Sequence, residues 1–211
     1  MTYSVHEIFL TLQGEGVNTG RLAVFCRFAG CNLWTGREVD RRNAICWFCD
    51  TEFVGVSGPG GGKFHSSIEL ANAVERRWPA NSTSERFVVL TGGEPLLQLD
   101  ASLLDALHAA GFEVAIETNG TLSAPGDLDW ICVSPKVGAP LRQRTGDELK
   151  FVYPQGDFEP AELETLEFKH FLLQPRDGPD LDENIASAAR YCAKHPHWRL
   201  SLQSHKLMGI P

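Results

Sequence analysis

The chain has 211 residues, 43% of them hydrophobic, which is enough to bury a sizeable core and close to the upper range of a single domain. A net charge of −8 argues against a nucleic-acid-binding surface, and no run approaches the roughly 18 apolar residues of a membrane span. The six cysteines lack the even, short-range spacing of a secreted disulfide scaffold and no leader-like segment is visible, so we expect a cytoplasmic protein with reduced thiols.

Strand-like and helix-like segments alternate along most of the chain. The runs predicted as strands are 22–28, 86–90, 113–117, 130–134, 149–153, 170–173 and 199–202. The predicted helices are 67–78, 101–110, 160–166 and 181–194, and the glycine-rich stretch 57–62 is predicted to be a flexible loop. This alternation implies parallel strands with crossover helices. A complete eight-fold barrel takes about 250 residues, so the sequence predicts an α/β fold with an abbreviated, open βα barrel of about six to seven mostly parallel strands.

Three cysteines follow the first predicted strand: Cys31, Cys46 and Cys49. A long gap separates Cys31 from the other two, which have Cys-x-x-Cys spacing. A four-iron cluster held by three protein thiolates leaves one iron without a protein ligand, and that iron can bind a small molecule. A structural zinc site is the alternative, and it usually has four ligands. Cys26 or Asp50 could supply the fourth, so these residues alone leave both interpretations open.

Arg27 interrupts the apolar run of the first predicted strand. A guanidinium inside a barrel needs an anion, and a carboxylate matches its two-pronged geometry. The residue alone leaves open whether that anion is an internal Glu or a substrate carboxylate. The mixed-charge run 37–42 is predicted to be a solvated loop.

Polar motifs follow four of the predicted strands, at the ends where βα barrels place their chemistry. They are Thr91-Gly92-Gly93-Glu94-Pro95, Glu117-Thr118-Asn119-Gly120, Ser134-Pro135-Lys136 and Gln174-Pro175-Arg176-Asp177. Paired glycines let the backbone approach a ligand closely, and carboxylates suit ammonium and ribose hydroxyl groups. Each motif alone could be an ordinary turn or strand exit, but four in register predict one polar rim around a ligand cavity.

The cysteine triad followed by Thr-Gly-Gly-Glu-Pro resembles the radical S-adenosylmethionine superfamily, although its first gap is longer than usual there. Three further motifs are similar to the 7-carboxy-7-deazaguanine synthase family, and the resemblance spans Gln13 to Pro211. They are the opening Phe9-Leu10-Thr11-Leu12-Gln13-Gly14-Glu15-Gly16, then Cys49-Asp50-Thr51, and the closing Leu202-Gln203-Ser204-His205-Lys206 with Gly209-Ile210-Pro211. The resemblance implies one radical S-adenosylmethionine core domain over 1–211, with segments 1–20 and 203–211 closing the substrate site.

The resemblance also implies the cofactors. A 4Fe-4S cluster on the three cysteines would chelate S-adenosylmethionine through its open iron, and an electron from the cluster would break a carbon–sulfur bond to give a 5′-deoxyadenosyl radical. Gly93 and Glu94 would hold the methionine end, and Phe48 would lie by the adenine. The full set implied to bind S-adenosylmethionine is Phe48, Gly92, Gly93, Glu94, Glu117, Ser134, Pro135, Lys136, Gln174, Pro175, Arg176 and Asp177.

The implied substrate is 6-carboxy-5,6,7,8-tetrahydropterin, an anionic bicycle rich in hydrogen-bond donors and acceptors. The residues implied to bind it are Leu12, Gln13, Gly14, Glu15, Arg27, Thr91, His205 and Pro211. Glu15, Asp50 and His205 are implied to support the chemistry. Thr51 matches the family position associated with Mg²⁺. Because a single hydroxyl supplies only one ligand, the ion would bind mainly through substrate oxygens.

The implied reaction removes a hydrogen from C6 of the pterin, contracts the ring, releases ammonia and re-forms S-adenosylmethionine. The product, 7-carboxy-7-deazaguanine, is the precursor of 7-deazapurines including queuosine. The expected partners are a small electron donor such as flavodoxin and a second copy of the chain in a homodimer, with no nucleic acid or membrane. Two alternatives are a radical S-adenosylmethionine activase that places a glycyl radical on a partner protein, and a non-catalytic zinc-binding module.

Overall fold

A computed structural model describes residues 2–211 and contains one nine-stranded sheet. The strands are β1 (Tyr3–Leu12), β2 (Leu22–Phe28), β3 (Gly62–Phe64), β4 (Phe87–Gly92), β5 (Glu113–Thr118), β6 (Trp130–Val133), β7 (Thr145–Tyr153), β8 (Glu167–Pro175) and β9 (Trp198–Leu200). Their order across the sheet is β3-β1-β2-β4-β5-β6-β7-β8-β9. β2 and β4 to β9 are mutually parallel, and β1 runs antiparallel to β2 and β3.

The predicted architecture, an open βα barrel of mostly parallel strands, is confirmed. All seven predicted strands are present as β2 and β4 to β9, with bounds that differ by a few residues. β1 and β3 were not predicted. A bulge between Val5 and Glu7 breaks the two-residue period of β1, and β3 is only three residues long. Because β3 and β9 are the two edges of the described sheet, the barrel is open.

Within residues 2–211, four α-helices accompany the sheet: α1 (Ser67–Glu75), α2 (Ala101–Ala109), α3 (Leu181–Lys194) and α4 (Ser204–Met208). The side chain of Ser66 accepts a hydrogen bond from the Glu69 amide at the start of α1. The expected helix at 160–166 is a 3₁₀ turn, Pro160–Leu163, because the chain must enter β8 a few residues later. α4 was not predicted.

The glycine-rich stretch 57–62 is bound to β1, which corrects the expected flexible loop. The Gly58 amide donates to the His6 carbonyl over 3.0 Å, and the Ile8 amide donates to the Pro59 carbonyl over 2.8 Å. A Cβ on Gly58 would lie 2.7 Å from the His6 carbonyl oxygen. Glycine is therefore required here by the close approach of two backbones.

The two faces of the sheet have different roles. Val24, Cys26 and Phe28 pack into the main core with residues of α1 and α2, whereas Arg27 points to the opposite face and lines a cavity. We call the face that carries Arg27 the inner face. Its lower part is filled by a small cluster of Ala23, Phe87, Val89 and Ala115. The cavity lies above this cluster, toward the carboxyl ends of the parallel strands.

None of the helices in the described part of the chain combines the length and the apolar character that crossing a bilayer requires.

Candidate active site

A cavity of about 340 Å³ opens at the carboxyl ends of the parallel strands. Its walls come from the two terminal segments, from the loop that carries Cys31, Cys46 and Cys49, which we call the cysteine loop, and from the exits of β4 to β8. Most of the residues singled out in the sequence line it: Leu12, Gln13, Gly14, Glu15, Arg27, Cys31, Cys46, Phe48, Cys49, Asp50, Thr51, Thr91, Gly92, Gly93, Glu117, Ser134, Lys136, Gln174, Pro175, Arg176, Asp177, His205 and Pro211. The volume lies within the range of about 300–1,000 Å³ that small-molecule sites occupy.

Glu94, which the resemblance assigns to the methionine end of S-adenosylmethionine, is not among the residues that line this cavity. The residue is fully buried, and its Oε1 accepts hydrogen bonds from Thr118 Oγ1 and the Leu96 amide. Its Oε2 accepts from the Asn119 amide over 2.8 Å. Burial raises the pKa of Glu94, and these donors oppose that effect. Glu94 therefore joins the exits of β4 and β5, and the cavity wall at this motif is formed by Gly92 and Gly93.

Pro135 also lies outside the cavity. It is buried, and its carbonyl accepts a hydrogen bond from Gln155 Nε2 over 3.2 Å. Its neighbours Ser134 and Lys136 do line the cavity, and Lys136 Nζ lies 2.7 Å from Ser134 Oγ. Pro135 thus shapes the exit of β6 without facing a ligand.

The three predicted cysteines face the same cavity. The Leu33 amide donates to Cys31 Sγ over 3.5 Å, a contact that stabilises a thiolate. The other three cysteines lie elsewhere: Cys26 in the core beyond the sheet, Cys132 beside Glu117, and Cys192 on α3. Three soft thiolates around one space, with no fourth cysteine beside them, suit an iron–sulfur cluster with one open iron.

The geometry gives the zinc alternative no support. Cys26 cannot join the triad, because it lies on the other face of the sheet. Asp50 Oδ2 is already bound by Gln203 and Lys206. Residues 2–211 contain no group of three or more His, Cys, Asp or Glu side chains close enough to share a single ion.

The paired glycines bring the exit of β4 against the cysteine loop. A Cβ on Gly93 would overlap the carbonyl oxygen of Gly30, the residue before Cys31. The Glu94 amide donates to the same carbonyl over 2.9 Å. The Gly-Gly motif therefore permits a close backbone approach at the first cysteine as well as an open cavity wall.

Contacts between its own residues stabilise the cysteine loop. A 3₁₀ turn, Glu38–Asn43, carries Arg41, whose guanidinium lies 4.0 Å from the centre of the Trp34 ring. Arg41 Nη1 also donates to the carbonyls of Trp47 and Cys49 over 2.8 and 3.0 Å. The expectation of a solvated loop at 37–42 is therefore wrong for Arg41, which binds the backbone of the Cys-x-x-Cys turn.

Arg27 has an internal partner. Its Nε lies 2.7 Å from Glu7 Oε1, and both side chains are about four-fifths buried, with 20% and 21% exposed. Strand register places Glu7, Arg27 and Thr91 in one row across β1, β2 and β4. The described residues accept no hydrogen bond from Nη1 or Nη2 of Arg27, so the end of the guanidinium is available for an anion in the cavity.

Lys150 was missed by the sequence reasoning, and it occupies the middle of the inner face. Its Nζ lies 2.6 Å from both Glu15 Oε2 and Glu117 Oε2, and its side chain is 3% exposed. Burial alone would lower the pKa of Lys150, but the surrounding anions raise it well above the usual value, so the group is an ammonium. The sequence pattern that could have identified Lys150 is the polar–apolar alternation Glu148-Leu149-Lys150-Phe151. Because alternate side chains of a strand point to opposite faces, this pattern places charged side chains on the inner face, as it does for Arg27.

The C-terminal segment forms one wall of the cavity. Gln203 Nε2 donates to Glu15 Oε1 over 2.8 Å, and Ser204 Oγ donates to the Gly14 carbonyl over 2.8 Å.

Lys206, in the same segment, binds two carboxylates. Its Nζ pairs with Asp50 and with Asp177, which lies 2.6 Å away. Gln203 and Lys206 were not predicted as site residues, because their partners are distant in sequence.

His205 and Pro211 also face the cavity, as expected. A Cβ on Gly14 would lie 2.7 Å from Cβ and Cγ of His205, so the imidazole packs directly on the Gly14 backbone. Burial lowers the pKa of His205, which favours the neutral ring. Thr11 Oγ1 donates to the Pro211 carbonyl oxygen over 2.8 Å, which holds the last residue at the end of β1.

No protein-family model matches the chain. The chain is 60% identical over 210 residues to the 7-carboxy-7-deazaguanine synthase of Bradyrhizobium diazoefficiens and 58% identical over 211 residues to that of Caulobacter vibrioides, with 100% of both chains covered in each case. Among solved structures, the crystal structure of QueE from Escherichia coli matches with a TM-score of 0.69 and 28% sequence identity, covering 96% of this chain and 94% of that one.

Proposed function

The chain belongs to the 7-carboxy-7-deazaguanine synthase family, and from that premise we propose that it converts 6-carboxy-5,6,7,8-tetrahydropterin to 7-carboxy-7-deazaguanine in 7-deazapurine biosynthesis. Enzymes of this family use a 4Fe-4S cluster and S-adenosylmethionine. The substrate has the same atoms as the product plus ammonia, so the net reaction needs neither an oxidant nor a reductant. S-adenosylmethionine can therefore be regenerated in each turnover.

One observation carries this proposal. Three cysteines, with no fourth beside them, line the same cavity as a guanidinium whose outer nitrogens lack a partner among residues 2–211. The first group fits a cluster with an open iron, and the second fits a carboxylate substrate. A cavity of about 340 Å³ brings the two together.

The chain's own residues bind and orient the pterin. Arg27 takes its carboxylate while Glu7 holds the guanidinium in place. Gln13 and Glu15 bind the ring edges, because a carboxylate accepts from N–H groups and an amide both donates and accepts. Leu12, Gly14, Thr91, His205 and Pro211 complete this side of the cavity. Segments 1–20 and 203–211 close the substrate site of a single domain, and their mutual hydrogen bonds support this arrangement.

The side of the cavity nearer the cysteines would hold S-adenosylmethionine, which would supply a carbon-centred radical there. The backbones of Gly92 and Gly93, not the carboxylate of Glu94, contact its methionine end. Phe48 lies by the adenine, and the remaining polar residues surround the nucleoside. They are Glu117, Ser134, Lys136, Gln174, Pro175, Arg176 and Asp177.

The Thr51 hydroxyl would be the protein ligand of Mg²⁺, which would bind chiefly through substrate oxygens. Thr51 lines the cavity, and the neighbouring Asp50 is held by Gln203 and Lys206. A flavodoxin-like electron donor, a homodimer and a cytoplasmic location complete the proposal. All six cysteines are free, as thiols are in a reducing compartment.

The test is product formation by anaerobically reconstituted protein given a reductant, S-adenosylmethionine, Mg²⁺ and 6-carboxytetrahydropterin. Mass spectrometry should detect 7-carboxy-7-deazaguanine, and the Cys46→Ser variant should form none. If the reduced, cluster-loaded protein gives only 5′-deoxyadenosine and methionine, the proposed substrate is wrong. A glycyl-radical activase would show that second pattern until its partner protein is added.

A further inference from the structure

Lys150 lies between the two sides of the cavity. It points to the inner face from β7, while its neighbours Leu149 and Phe151 pack in the core against α3 and β9. Its ammonium contacts Glu15, which comes from the loop after β1, and Glu117, which comes from the exit of β5. One buried charge thus joins a residue of the pterin side to a residue of the nucleoside side.

The surroundings of Lys150 carry an excess of negative charge. Strand register places Glu117, Cys132 and Glu148 in one row across β5, β6 and β7, one pleat below Lys150. Glu148 Oε2 accepts from the Val17 amide over 2.9 Å, and Cys132 Sγ lies 3.7 Å from Glu117 Oε2. Burial raises the pKa of both Glu117 and the Cys132 thiol. Lys150 is the cation that these groups share.

Glu15 depends on that cation. Burial alone would raise the pKa of Glu15, but Lys150, helped by amide donors from Gln203 and Gln174, lowers it to about 2. The other titratable groups that face Glu15 are Glu117 from β5, Glu148 from β7 and His205 from α4. Of these, Glu117 opposes its ionisation. Without Lys150, Glu15 would be a buried carboxyl beside two others.

We propose that Lys150 is a positioning residue for the pterin: it fixes Glu15 as an anionic acceptor for the N–H groups of the substrate. The proposal rests on the proposed function, because it assumes that a donor-rich ring lies against Glu15. A carboxylate offers acceptor sites only, whereas a protonated carboxyl turns a donor toward those N–H groups. The mismatch would leave polar groups unpaired in a buried site and weaken substrate binding.

The test compares Lys150→Met, which has a similar length and no charge, with Lys150→Arg, which retains the charge. For Lys150→Met we expect the KM for 6-carboxytetrahydropterin to rise at least tenfold with a smaller change in kcat. The loss should be greatest at low pH and should diminish as pH rises through the new, higher pKa of Glu15. Lys150→Arg should keep the pH profile of the unmodified protein.

A second readout needs no substrate and no cluster. Carbon-13 NMR of glutamate carboxyl groups, with Glu15 assigned by Glu15→Gln, should show an ionised Glu15 from pH 5 upward in the unmodified protein and a protonated one in Lys150→Met at neutral pH. If Lys150→Met does not fold, Lys150→Met/Glu117→Gln, which also removes one buried carboxylate, serves in its place.

An ionised Glu15 in the charge-free variant, or a fall in kcat with an unchanged, pH-independent KM, would overturn the role of Lys150. If the unmodified protein forms no product while Glu15 titrates as expected, the proposed function is wrong, and so is the role of Lys150 in positioning the pterin. The electrostatic coupling between Lys150 and Glu15 would still be confirmed.

Discussion

Gln203 donates from Nε2 to Oε1 of Glu15 over 2.8 Å, although 188 residues separate the two positions in the chain. The same amide nitrogen lies 3.1 Å from Asp50 Oδ2, next to the last cysteine. One side chain from the C-terminal segment therefore links the loop after β1 to the cysteine loop. The cavity has a complete wall only when both ends of the chain are in place.

Deletion of Gly209 to Pro211 should open this wall. The deletion removes the bond from Thr11 to Pro211 and the left-handed glycine that ends α4, a helix of only five residues. We expect the KM for the pterin to rise at least tenfold and α4 to become sensitive to limited proteolysis. Full activity of the truncated protein would show that the last residues do not serve the site.

Lys206→Met should have a smaller effect than the deletion. The Lys206 side chain is 37% exposed, so its pairs with Asp50 and Asp177 together contribute about 1 kcal/mol. We expect hydrogen exchange in α4 to accelerate several-fold with little change in Tm. Lys194→Met, at an exposed position on α3, is the control and should leave α4 unchanged. Equal exchange in the two variants would contradict the role of Lys206.

Gly14→Ala should displace His205. The added methyl group would overlap the imidazole, and overpacking of this kind costs about 1–3 kcal/mol unless a neighbour moves. Because His205 lies on the short helix α4, we expect α4 to move and the pterin KM to rise about tenfold. Gly126→Ala is the matched control, since its Cβ meets no atom within 4 Å. Indistinguishable kinetics for the two variants would rule out close packing of His205 on Gly14.

Arg27→Met should weaken substrate binding, because the carboxylate loses charge-assisted hydrogen bonds worth about 1.5–3 kcal/mol each. We expect the pterin KM to rise about 10- to 100-fold, measured by initial rates under anaerobic conditions. Arg21→Met is the control: Arg21 pairs with Glu113 at a similar distance and does not line the cavity. A glycyl-radical activase would tolerate Arg27→Met when acting on its protein partner, and an unchanged KM would contradict the assignment of Arg27.

Arg41→Leu should loosen the cysteine loop. The variant loses the two bonds to the carbonyls of Trp47 and Cys49, and a loss of about 1.4 kcal/mol would speed cluster release about tenfold. Iron and sulfide content after reconstitution, and the rate of iron loss to a chelator, measure this directly. Arg42→Leu, at an exposed neighbouring position, should retain the cluster as the unmodified protein does. Equal rates of iron loss in the two variants would show that Arg41 does not stabilise the loop.

The sequence predicted the parallel strands and most of the cavity wall, because both depend on local patterns. Apolar runs such as Phe87-Val88-Val89-Leu90 identify a strand, and the parallel order places every polar exit at one end of the sheet. β1 was missed because its bulge shifts the period after Val5, so the alternation is interrupted. α4 is too short to show a helical period.

The unpredicted parts of the site depend on contacts between distant residues. Glu94 stands in a motif that suggests a ligand, but Thr118 at the end of β5 and the following Asn119 donate hydrogen bonds to its carboxylate. Lys150 looks like an ordinary charge within a strand until Glu15 and Glu117, 135 and 33 residues away, are placed beside it. Sequence spacing carries neither relationship, because each one joins residues that only the folded sheet brings together.

The most direct test of the account follows one hydrogen atom. If the pterin and S-adenosylmethionine occupy the same cavity, a hydrogen atom should pass directly from C6 of the substrate to the 5′ carbon of the cofactor, and one of the three hydrogens then on that carbon should return to the substrate when the cofactor is regenerated. With 6-carboxytetrahydropterin deuterated at C6, we expect mass spectrometry to find deuterium in S-adenosylmethionine and many molecules of 7-carboxy-7-deazaguanine for each cofactor consumed. Product formed with deuterium only in solvent, or one cofactor consumed per product, would contradict the shared cavity and the regenerated cofactor.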